Sequence, residues 1–219
     1  MAHPDLLTLL LADARLPVAG HTQSGTLEGA VMAGLGPADV PSYLRTRLWG
    51  VTRVEAGTAV AARRAVLDAT PLADVEQAWA ARTVAPALRS ASRVQARTLL
   101  RLCGQVWPDA AAPLRAVPGV SRAVALGAVA AGVGIGADAL ARLVAYDDVQ
   151  TVCAAALKLL PLDPTVVTGW VVDALPLIED VVVATAGVED AAGIPAVTVP
   201  QIEAWAQAHA RSTRRLFRA

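Results

Sequence analysis

A chain of 219 residues can bury roughly 70% of its unfolded surface in one core, so stability needs no disulfide or metal. Hydrophobic residues make up 55% and aromatic residues 4%, with Ala, Leu and Val dominating, which favours close-packed helices over a sheet rich in Ile, Tyr and Phe. Lys plus Arg and Asp plus Glu number 19 each; the zero formal charge leaves no electrostatic footprint for nucleic acid and limits self-repulsion, so association with itself or a partner is expected.

Helical periodicity recurs from end to end. Leu6, Leu9, Leu10 and Leu16 start an amphipathic helix that Pro17 ends, and a second helix runs from about Ser24 to Ala33 before the "GLGP" at 34–37. Val40, Leu44, Leu48 and Val51 form a buried stripe with Arg45, Arg47 and Arg53 off it, so residues 38 to about 67 make one long helix or two abutting ones, with Pro41 in the first turn. Thr70 as N-cap and Pro71 at N1 open a helix to about Thr83. The next spans about Ala87 to Val106, with Val94, Leu99 and Leu102 inside and Arg89, Arg93, Arg97 and Arg101 outside at four-residue intervals. The proline-rich "WPDAAAPLRAVPG", 107–119, is the one candidate linker. Ser121 begins an Ala/Gly/Val helix, Ala137 to Leu160 forms another, and two more run from about Thr165 to Ala186, with Pro176 inside, and from Pro200 to about Arg214. The β-branched "VVVATAG" at 181–187 is read as helical, since a lone strand has no partner.

Targeting signals and metal spacing are both missing. Asp5 and Asp13 flank the apolar Leu6–Ala12 run with no basic segment before it, unlike a signal peptide. The longest uncharged run, Ala123–Ala137, falls short of the ~20 residues that cross a bilayer. Cys103 and Cys153 lack the nearby Cys or His of a zinc site and read as buried thiols of a reducing cytosol. A cytoplasmic protein without membrane or nucleic-acid contacts is therefore expected.

The stretch "RLPVAGHTQSGTLEGA", 15–30, stands apart from its alanine- and leucine-rich surroundings. It lacks the lysine of a phosphate loop and the spacing of a nucleophile elbow, and His21 has only His3 and His209 as possible histidine partners for a metal. Gly25 and Gly29, four apart on the predicted second helix, leave a face that another backbone can approach closely. Glu28 sits where the helix dipole favours a carboxylate, and Thr22 or Ser24 can cap the free N–H groups. The arginine ladder at 89–101 reads as a solvated helix face. Arg142 and Tyr146, adjacent on one helix face, form a possible contact patch, with an ion pair from Arg142 to Asp138 the ordinary alternative. At the end of the chain Phe217, the only phenylalanine, lies among Arg214, Arg215 and Arg218; such a tip is poorly suited to its own core and suggests docking into a partner.

Four stretches in order resemble the UreF family of urease accessory proteins: "LLLADARLPVAGHTQSGTLEGAV", "ASRVQARTLLRL", "AALKLLPLDP" and the terminal "RRLFRA". The resemblance implies an all-α, single-domain helical bundle of about nine helices over 1–219, with 212–219 a C-terminal docking tail. It implies no catalytic site and no cofactor of its own. The protein would bind the UreD/UreH scaffold and recruit and regulate the UreG GTPase, as a homodimer within the complex that loads nickel into apo-urease. Carried onto this sequence, Pro17, His21, Ser24 and Glu28, with Arg215, Leu216 and Phe217 of the tail, are the expected partner contacts; Arg142 and Tyr146 are expected to face the GTPase. His21 and Gln23 stand where the family usually has aromatics, and Thr26 where it has glycine. The other readings are an all-α enzyme, for which the scattered histidines assemble no pocket, and a ligand-sensing or DNA-binding regulator, for which the arginine ladder is the sole recognition helix.

Overall fold

Every regular element among the described residues of the computed structural model, 3–13, 15–18 and 22–217, is helical. The all-α expectation is met, including at 181–185, which lie within a helix.

Helix α1 (Pro4–Leu11) is capped by the His3 side chain, which accepts from the Asp5 N–H, and it stops well short of Pro17. Its inward face also differs from the expected one. Leu7 and Leu11 are buried, while Leu6, Leu9 and Leu10 are 63%, 68% and 42% exposed. An all-leucine helix has two candidate apolar faces, and packing against a neighbour selects one.

Helix α2 (Leu27–Met32) begins later than expected, because Gly25 (φ 58°) and Thr26 (φ 69°) are both left-handed and a right-handed helix cannot include them. Gly25 therefore belongs to the entering turn, and of the two glycines it is Gly29 that another backbone approaches closely: a β-carbon there would lie 2.7 Å from the Trp205 carbonyl oxygen.

After a 3-10 turn, α3 (Val40–Arg47) runs through a π-helical segment (Leu48–Thr52) into α4 (Arg53–Leu67), so the expected long helix carries an internal change of winding. Helix α5 (Leu72–Arg82) starts one residue after the expected point, with Pro71 and not Thr70 at its N-cap. Helix α6 (Pro86–Val106) follows. The expected linker instead folds into α7 (Pro108–Ala111) and a 3-10 turn, Ala112–Ala116, and buries Ala110, Ala111 and Leu114 in the common core.

Ser121 caps α8 (Arg122–Val133), its Oγ accepting from the Val124 N–H. Helices α9 (Ala137–Leu159), α10 (Pro164–Thr185) and α11 (Pro200–Arg211) complete the chain. Helix α8 is buried nearly all round and crosses α4 so closely that a β-carbon at Gly127 would overlap the Ala59 carbonyl oxygen. That explains the uncharged run at 123–137: it is a central core helix, apolar on every side. No helix among the described residues is long and apolar enough to cross a membrane. Cys103 and Cys153 are buried and unbridged, and burial pushes both thiols up to about 11.

Candidate functional site

The turn before α2, the end of α11 and the C-terminal tail meet at Glu28. Its carboxylate is 6% exposed and takes three partners: the Leu216 N–H at 2.6 Å, the Phe217 N–H at 2.9 Å and His209 Nε2 at 2.8 Å. From the other side Ser24 Oγ accepts the Glu28 main-chain N–H at 3.3 Å. Gly29 lets α11 come close enough for His209 to reach, and Tyr43 Oη donates to the Gly25 carbonyl while its ring tilts against Trp205 at 6.1 Å. Local structure, packing and hydrogen bonding thus converge on one carboxylate.

Burial alone would push the Glu28 carboxyl up, but the Leu216 and Phe217 N–H groups and His209 outweigh it and hold the pKa below the ordinary 4.5. The contribution of this clamp is then complete above about pH 4.5 and is lost as the pH falls through the folded value. Between pH 7 and pH 4 the urea midpoint of the wild-type chain should fall further than that of Glu28→Gln. Equal falls would mean that the clamp is not charge-dependent.

Beneath this clamp lies a second polar centre. Arg47 grips Asp148 through Nε at 2.8 Å and Nη2 at 2.8 Å, and Thr52 Oγ1 donates to the same carboxylate at 2.6 Å. The wider i→i+5 turn between them lets Arg47 and Thr52, five residues apart, converge on one acceptor. Arg47 was expected to lie off the buried stripe, yet it is 8% exposed, because Asp148 on α9 balances its charge inside the fold. Its Nη1 has no protein acceptor among the described residues and adjoins a cavity of about 120 Å³, space enough for water. Arg122 and Asp147 pair at 3.0 Å in the same cavity wall, and burial still pushes the Asp147 carboxyl up. Burial likewise pushes up Glu55, which accepts from Trp79 Nε1 at 2.7 Å. No group of three or more His, Cys, Asp or Glu side chains among the described residues is arranged to hold a metal ion.

The UreF family profile matches residues 35–175. A urease accessory protein UreF from Mycobacterium sp. (strain JLS) is 39% identical over 97% of this chain and 98% of its own length. Those of Mycobacterium marinum and Mycobacterium tuberculosis (strain H37Rv) are 38% and 35% identical over 96% and 95% of this chain, and over 97% and 96% of their own. The chain belongs to the UreF family of urease accessory proteins.

The residues singled out in this UreF-family chain do not form one surface. Ser24, Glu28 and Phe217 come together, but inside: Phe217 is 4% exposed, its ring beneath Lys158 Nζ at 5.3 Å from the centroid. The expectation that Phe217 stands clear of its own core is overturned, because the Leu216 and Phe217 main-chain donors and the buried Glu28 carboxylate satisfy each other. Pro17, Arg215 and Leu216 are exposed, and His21 lies outside the described residues.

Arg142 and Tyr146 diverge. Arg142 makes a two-pronged pair with Glu179 of α10, Nη2 to Oε2 at 2.8 Å, and not with Asp138, since the facing helix offers both carboxylate oxygens to the guanidinium fork. Tyr146 is half-buried, accepts from Gln150 Nε2 at 2.8 Å, and lines a cavity that Phe217 also lines. The arginine ladder is likewise only half a solvated face. Arg97 and Arg101 are exposed, but Arg93 binds Glu76 at 3.0 Å and lies over Trp79, and Arg89 donates to the Thr83 and Val84 carbonyls. Sequence reasoning missed the Arg47–Asp148 centre; its one signal was the doubled aspartate, Asp147–Asp148, in the middle of an otherwise apolar helix.

Proposed function

We propose that this urease accessory protein is a non-catalytic adaptor in nickel insertion, binding the UreD/UreH scaffold and recruiting and regulating the UreG GTPase on the way to apo-urease. It works in the cytoplasm, as a homodimer within the complex, with nickel handled by the assembly and no cofactor of its own. The relationship to UreF proteins over almost the full length of both chains carries this reading. Among the described residues three buried or partly buried pairs, Arg47–Asp148, Arg122–Asp147 and His209–Glu28, tie titratable groups to one another in structural roles, which supports an adaptor over an enzyme. Pro17, His21, Arg142, Arg215 and Leu216 are the proposed contacts. Ser24, Glu28, Tyr146 and Phe217 lie behind the tail contacts and hold them in place.

Co-expressed with its cognate scaffold and GTPase, the chain should co-purify with both at low salt; failure of any complex to form refutes the reading. Leu216→Asp is the sharper probe. Its side chain is 63% exposed, so the variant should keep its helix content and lose at least about tenfold in scaffold affinity, as truncating an interface anchor does. Unchanged binding would remove the tail from the contact surface.

A further inference from the structure

Tryptophan, tyrosine and arginine are over-represented among the residues that dominate interface energies. Of the five tryptophans in the chain, Trp79 is fully buried and Trp107, Trp170 and Trp205 pack against the core. Trp49 is the one that stands outside it, 53% exposed, on the π-helical segment between α3 and α4. The wider turn sends Arg47 and Thr52 inward to Asp148 and leaves Trp49, between them in sequence, on the outside. Winding changes of this kind are frequent at functional sites.

Arg45 and Arg53 lie four residues before and four after Trp49, so the three make one basic stripe with an indole at its centre. Arg45 is exposed, and neither it nor Trp49 makes a side-chain hydrogen bond or ion pair among the described residues. Arg53 is half-buried, and its Nε is shut off from solvent with no acceptor in the chain. Other arginines of this fold show what such a group takes: Arg47, Arg93 and Arg122 each hold a carboxylate. Arg45 and Arg53 lack one. Arg97 and Arg101 are free as well, but no exposed aromatic side chain stands between them.

An adaptor between a scaffold and a GTPase needs two separate surfaces, and the tail supplies only one. Of the residues expected at the other, Arg142 is held by Glu179 and Tyr146 by Gln150, so neither brings a free group to a partner. We propose that the stripe of Arg45, Trp49 and Arg53 is a docking surface for an acidic edge of the GTPase. The indole enters an apolar pocket there, and the two guanidinium groups pair with carboxylates on its rim. A carboxylate beside Arg53 gives its head group the acceptor that the chain itself does not provide. Complementary charges at such a rim speed association and lose their effect as salt rises. The assignment rests on the reading above that this chain recruits a GTPase.

The test uses the full-length chain with the purified cognate GTPase and scaffold, affinities being measured at low and moderate salt by biolayer interferometry. The wild type should bind the GTPase, less tightly as salt rises. Trp49→Ala should weaken that binding by about tenfold or more, as truncating an interface anchor does, and Arg45→Glu should weaken it and flatten its salt dependence. Both side chains are exposed, so helix content and scaffold affinity should stay at wild-type values, which also shows that the variants are folded. Wild-type GTPase affinity in Trp49→Ala overturns the proposal and leaves the recruiting role standing, whereas a wild-type chain that binds no GTPase overturns both. Loss of scaffold binding in its place, or a changed sedimentation coefficient with GTPase binding intact, gives the stripe to the scaffold or to a second copy and equally overturns the proposal.

Discussion

Replacing Asp148 with Ala should destabilise the chain by about 3 to 5 kcal/mol, the range for removing one partner of a buried ion pair. The reason is the group left behind. Arg47 would keep its charge inside the fold with no carboxylate, and Thr52 would lose its acceptor. Exposure of a few per cent on Arg47 allows little rescue by solvent. Urea denaturation followed by circular dichroism measures the loss, and the double variant Arg47→Met with Asp148→Leu identifies its origin. If the cost lies in the orphaned charge, the double variant should recover most of it, since apolar replacements of a buried pair are often neutral or better. A double variant as unstable as Asp148→Ala would instead place the cost in packing around α9.

Gly127→Ala should cost about 3 kcal/mol, the upper part of the range for overpacking a core. The added methyl group would run into the Ala59 carbonyl oxygen and the Ala62 side chain, and main chain in the middle of α4 cannot swing aside as a flexible side chain can. For a domain of this size that corresponds to a fall in melting temperature of about 6 to 12 °C. Gly104→Ala is the matched control. It lies in α6 with nothing within 4 Å of the new carbon, so it should stabilise by about 0.5 to 1 kcal/mol through reduced backbone freedom in the unfolded chain. If both glycines respond alike, helix propensity and not the α4–α8 crossing sets the effect.

Short-range signals account for what could be read in advance. The Ser121 cap, Pro200 at the start of α11 and the apolar run of α8 act through residues within a turn or two of one another, and these elements appear where their signals lie. Within the 15–30 stretch, a turn does enter a helix, and Ser24 bonds the Glu28 N–H. Its Gly25 and Gly29 do not share a helix face, because Gly25 and Thr26 form a left-handed turn, with Val152 so close that a β-carbon at Gly25 would lie 2.8 Å from its side chain.

Composition, period and punctuation by themselves determined an all-helical chain, most of its helix positions to within a few residues, and through the ordered motifs its family. The tertiary structure alone decided which faces are inside: Leu7 and Leu11 over Leu6, Leu9 and Leu10, and Arg47 within the core. It alone paired Arg47 with Asp148, 101 residues away, and Glu28 with Leu216, 188 away, turning a terminal phenylalanine from a free tip into a seated one. The physical reason is range. Helix formation is written in neighbours three and four apart, whereas the balance of a buried charge or an unpaired N–H depends on whichever distant residue the packing brings within 3 Å, and no local pattern encodes that partner.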